Sequence, residues 1–122
     1  MILFRPVGEK EKILIEKSGW KAFPPRLAQQ PIFYPVLNER YALEIAERWN
    51  TKDENSGFKG YVLRFEIDDA FISGYEAQRV GASHHQEYWI PADELEEFNR
   101  SIIGKIEVVR EFGAGENNHK KT

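Results

Sequence analysis

A chain of 122 residues suits one domain with one core, and it can bury about two-thirds of its unfolded surface without a disulfide or metal staple. Seventeen Lys+Arg against twenty Asp+Glu give a net charge of −3, which argues against the basic footprint of a nucleic-acid binder. There is no cysteine, so disulfides, thiolate catalysis and cysteine-ligated zinc are excluded and a reducing compartment is indicated.

Ile2 to Arg5 is a short apolar run closed by Pro6 and Gly8, and it predicts a first strand. Glu9 to Ser18 has helical character. Glu9 and Glu11 in its first turn suit the helix dipole, and Gly19 is a natural stop. Ile13, Leu14 and Trp20 are expected to pack inward. Lys21 to Pro35 holds four of the six prolines and reads as an irregular segment with at most short or edge strands. A long loop of this kind in a small domain is more often functional than idle.

Asn38 to Asn50 gives the clearest helical signal. Asn38 can cap it, and Ala42, Ile45, Ala46 and Trp49 form one apolar stripe. Thr51 to Gly60 is polar and loop-like. Tyr61 to Ile67 alternates, with Tyr61, Leu63, Phe65 and Ile67 on one face and Val62, Arg64 and Glu66 on the other, as in a half-buried strand. After a short segment, Phe71 to Ser73, two strands are expected over Glu76–Val80 and Gln86–Ile90, around the turn Gly81-Ala82-Ser83. Pro91 to Arg100 predicts a short acidic helix, and Ile102 to Val109 a final strand broken by Gly104. Residues 1–112 are expected to form the domain and 113–122 a disordered tail. Helices early and strands late argue for an α+β fold, and the glycine fingerprints of Rossmann and P-loop proteins are missing.

No apolar run approaches the ~20 residues of a membrane span, and Met1 to Pro6 lacks the features of a signal peptide. A cytoplasmic location without a membrane partner is therefore expected.

Three polar or aromatic positions stand where neighbouring residues could present them to a ligand. Arg5 ends the first strand, and its donor fork suits a phosphate or a ribose hydroxyl; the plainer alternative is an arginine paired with a carboxylate. Tyr34 follows Phe33 on a proline-flanked backbone, where one of the two rings could wall a slot for a flat group and the other pack in the core. Glu87 opens the apolar run Tyr88-Trp89-Ile90, where a carboxylate can hold a ribose hydroxyl or stabilise developing positive charge; the alternative is a charge guarding a strand edge. Arg26, in the proline-rich loop, is a further phosphate contact to consider. His84 and His85 are expected to point to opposite faces of a strand and so to chelate one ion poorly, which leaves no metal site.

The order of features resembles the ADP-ribosyltransferase-like fold and small bacterial proteins grouped as an ADP-ribosylation/crystallin family. The resemblance runs through Leu3-Phe4-Arg5-Pro6-Val7, Gly19-Trp20, Ile32-Phe33-Tyr34-Pro35-Val36 and the alanine-bearing helix Tyr41 to Ala46, then to Glu87-Tyr88-Trp89-Ile90-Pro91 and the closing strand Ile106 to Val109. One branch of that family uses Arg, Ser and Glu, and another His, Tyr and Glu. Arg5 fits the first branch, Tyr34 and Glu87 the second, and His85 stands where the first has an earlier Glu. The resemblance implies two small antiparallel sheets with two to three helices and a cleft for NAD. It implies that Arg5 orients ribose or pyrophosphate and that Tyr34 or Phe33 packs on nicotinamide, beside the phosphate contact already considered for Arg26. Glu87 is the implied catalytic residue of an ADP-ribosyltransferase or NAD glycohydrolase, and His85 and Gln86 would position an acceptor, which can be a protein. The alternatives are a non-catalytic nucleotide- or protein-binding member of the fold, and a scaffold whose contact surface is the loop Phe23 to Pro35.

Overall fold

The computed structural model describes residues 1–113. The expected tail therefore lies outside the described residues, apart from Gly113, which closes the last strand. The fold is α+β. Strand β1 (Ile2–Val7) leads into helix α1 (Glu9–Lys17), then strand β2 (Ile32–Phe33) and helix α2 (Glu39–Arg48). Strand β3 (Lys59–Ile67) and the single-turn helix α3 (Asp69–Ile72) follow. The short strands β4 (Gln78–Arg79), β5 (Gln86–Glu87) and β6 (Ile90–Pro91) precede helix α4 (Leu95–Arg100) and strand β7 (Ile102–Gly113).

The main sheet is antiparallel, in the order β1-β3-β7. Two two-stranded pairs, β2 with β6 and β4 with β5, complete the sheet structure among the described residues. Val36 joins these parts. It bridges Phe4 on one side and Glu87 on the other, so the β4–β5 hairpin continues the main sheet beyond β1.

Local chemistry explains the clearest elements. Asn38 accepts from the Tyr41 amide at 2.8 Å and starts α2, an N-cap that satisfies one orphan donor. Tyr61, Leu63, Phe65 and Ile67 are buried, as alternation requires. Val62 on the opposite face is buried too, because α2 lays Ala42 and Ala46 over that side of β3. Gly60 permits the close approach: a Cβ there would meet the Ala46 carbonyl oxygen at 2.5 Å.

The main core is aromatic. Phe98 of α4 packs edge-on against Phe33 (5.3 Å between centroids), Phe65 (5.9 Å) and Phe71 (5.9 Å), and Phe23 lies 6.4 Å away. Asn99 anchors the proline-rich segment beside this cluster, accepting from the Phe23 amide and donating to the Phe23 carbonyl, both at 2.9 Å.

Several expectations are corrected. In α1 the buried residue is Ile15, while Ile13 and Leu14 are exposed; nine residues of helix laid on the sheet turn only one narrow stripe inward. Trp49 is 69 % exposed, because it caps α2 where the chain leaves the helix. The two expected strands around Gly81 shrink to two residues each, since Tyr88 and Trp89 leave the ladder before β6 pairs with β2. Gly104 does not break β7. It takes a left-handed φ of +75°, and register shifts against β3 absorb the extra residues as bulges. Ile106 is thereby turned into the core, with its amide donating to the Trp20 carbonyl at 2.7 Å.

Candidate functional site

A cleft of about 1100 Å³ opens beside the end of β1. Its walls come from β1, the first turns of α1, the proline-rich loop, the segment leading to Val36, the C-terminal end of α2 and the Glu87–Trp89 stretch. Arg5, Arg26, Tyr34 and Glu87, each singled out from the sequence, all line it.

Arg5 is 8 % exposed. Its Nε and one terminal nitrogen donate to the two carboxylate oxygens of Glu11 at 2.7 and 3.0 Å, a bidentate pair. The guanidinium carbon lies 4.5 Å from the centre of the Phe33 ring, a cation–π contact. Phe33 itself is fully buried and does not form the cleft wall. It lies beneath the arginines, and Tyr34, which is 41 % exposed, is the ring of the pair that lines the cleft. Backbone alternation dictates that division.

Arg26 reaches the same ring from the loop, 5.7 Å from its centre. Burial, and then the neighbouring Arg5, lower its pKa from the ordinary arginine value. Its Nε is buried and has no hydrogen-bond partner. Asn50, 8 % exposed, donates to Ser56 Oγ at 3.0 Å but leaves its own Oδ1 buried without a partner. Both orphaned atoms belong to residues lining the cleft.

Glu87 is half-buried and held from both sides. Tyr41 Oη donates to one oxygen at 3.0 Å and Trp89 Nε1 to the other at 2.8 Å. Burial first, then the Glu87 charge, pushes the Tyr41 phenol up to about 12, so it stays a donor across the physiological range. A raised folded-state pKa contributes stability that is complete below the ordinary tyrosine value and lost as the pH climbs through the folded value. Tyr41→Phe should therefore hold its urea midpoint better than the parent between about pH 10 and 12; an unchanged alkaline decline would disprove this contribution.

His85 and Gln86 do not line the cleft. His84 and His85 occupy a turn and not a strand, which lets both rings converge on Glu44 of α2; each Nε2 lies 2.9 Å from a different carboxylate oxygen. These contacts, His85 first, hold the Glu44 carboxyl well below its ordinary range, at about 2. The acceptor-positioning role expected of His85 and Gln86 has no support in this placement.

Sequence reasoning missed Glu11, Tyr41, Asn50 and Trp89. Trp89 was legible, since the strand expected over Gln86–Ile90 would put it two residues from Glu87 and on the same face. Glu11, Tyr41 and Asn50 carry no local signal, because their partners come from other elements.

No helix among the described residues is long and apolar enough to cross a membrane. No family model, curated protein or solved structure matches the chain.

Proposed function

We propose that the cleft binds NAD and that the protein cleaves its nicotinamide–ribose bond, passing ADP-ribose to water or to an acceptor. The observation that carries this reading is the convergence of Arg5, Arg26, Tyr34 and Glu87 on one cleft. Arg26, which lines the cleft, and Arg5 behind it supply positive charge for a pyrophosphate. Tyr34 and Trp89 offer exposed aromatic faces for the rings.

In this reading the C–N bond breaks with its electron pair leaving on neutral nicotinamide, and positive charge develops at the ribose anomeric carbon. Glu87 stabilises that charge, and its two fixed donors spare it the reorganisation a free carboxylate would need. Water then adds and releases a proton, or an acceptor nucleophile does the same.

One observation favours a second reading, nucleotide binding without turnover. Glu11 already neutralises Arg5, so one of the two cations is partly committed before a ligand arrives. Incubation of the purified protein with NAD decides between them. Nicotinamide release supports the enzyme. An NAD-dependent rise in melting temperature without release supports the binding module. Neither result would reject both.

A further inference from the structure

We propose that Glu44, His84 and His85 form a binding site for one divalent transition-metal ion of the zinc, cobalt and nickel class. This inference is independent of what the cleft does.

The site is built from two elements. Glu44 projects from the middle of α2, and the histidines come from the turn before β5. That turn is tied down on both sides. Asn38 Nδ2 donates to the His84 carbonyl at 2.6 Å, and the Leu37 amide donates to the Gln86 carbonyl at 3.1 Å. The His85 ring stacks on Tyr41 with centroids 4.5 Å apart. Gly81 gives the ring room, since a Cβ there would meet His85 Nδ1 at 2.7 Å.

One ligand atom from each of the three residues can be chosen so that all lie within 4.8 Å of one another. Small side-chain rotations that draw the three atoms closer would place each about 2.0–2.2 Å from one ion between them. Two imidazoles and one carboxylate leave further coordination positions open, as in zinc sites that keep a bound water. With no thiolate in the chain, nitrogen and oxygen donors select ions of this class over softer ones. The side chains are 19 %, 28 % and 22 % exposed for His84, His85 and Glu44, enough for a hydrated ion to enter.

Without an ion, hydrogen bonds fill the site. The exposed Ala82 amide donates to His85 Nδ1 at 3.2 Å, so that nitrogen carries no proton and Nε2 is the donor to Glu44. Metal binding at Nε2 moves that proton to Nδ1 and releases the Ala82 amide to water, a small loss at an exposed position. Arg40, whose Nε lies 3.5 Å from Glu44, has a largely exposed side chain and can swing away.

The test is titration of the full chain with Zn²⁺ by calorimetry and with Co²⁺ by visible absorption. One ion per chain is expected, with cobalt bands of a low-symmetry site in place of the hexa-aquo spectrum. Glu44→Gln and His84→Gln should each weaken binding by on the order of tenfold or more. His119→Gln, which removes the remaining histidine of the sequence, should leave binding unchanged. Absence of saturable binding, an aquo-like cobalt spectrum, or affinity that survives both Glu44→Gln and His84→Gln would overturn the proposal. Since Glu44→Gln also loosens the turn, the cobalt spectrum of the unaltered protein tests the site without depending on the folding of any variant.

Discussion

Glu87→Gln should lower nicotinamide release by about a hundred- to a thousandfold while NAD still protects the protein against heat. The substitution keeps shape and removes charge. Trp89 Nε1 can only donate, so the new amide must turn its oxygen toward the indole. Its nitrogen then faces Tyr41 Oη, which can accept as readily as it donates. Both partners stay satisfied, and folding should be little affected. On the proposed NAD-cleaving reading, what is lost is a negative charge that stabilises the anomeric carbon only as the bond breaks, so the loss should appear in kcat with KM little changed. Turnover equal to the parent's would end Glu87's candidacy. A parallel loss of thermal protection by NAD would instead make it a binding residue.

Phe98→Ala should destabilise the fold by about 3–5 kcal/mol, a large fraction of the ~5–15 kcal/mol typical of a domain. Phe98 is fully buried and stacks edge-on against three phenyl rings. Truncation leaves a cavity that stiff aromatic neighbours cannot collapse to fill. The urea midpoint should fall with an unchanged slope. Phe98→Leu, which keeps much of the volume, should cost far less. A loss below about 1 kcal/mol for Phe98→Ala would show that the cluster repacks freely. The effect should reach the cleft, because Phe98 buttresses Phe33 and Phe33 carries Arg5 on its face. A variant that survives folding should therefore show weaker protection by NAD.

The parts of the fold written in short-range periodicity were legible. The capped helix α2 and the alternating strand β3 follow from residues within one or two turns of each other. The site was legible one residue at a time. Arg5, Arg26, Tyr34 and Glu87 could be named, but not the bridges through Val36 that set β5 beside β1, because such pairing has no local signature. Apolar residues misled where they line the cleft. Leu14 and Trp49 look in sequence like Ile15 and Ala46, since periodicity reports an apolar face without saying whether it meets a core or an open wall. The histidines misled because alternation holds in a strand and fails in a turn.

Strand β7 bears on how copies of the chain meet one another. Its outer side borders no other strand among the described residues, and an unpaired strand is a template on which a second molecule can add. The bulges and the left-handed Gly104 spoil the regular spacing of donors and acceptors along that border. The Trp20 carbonyl occupies the Ile106 amide, and Lys105, Glu107, Arg110 and Glu111 set charges of both signs along the strand. A neighbour approaching to extend the sheet meets a kinked, charged and partly occupied ladder, so the irregularity of the last strand works as a guard against edge-to-edge aggregation.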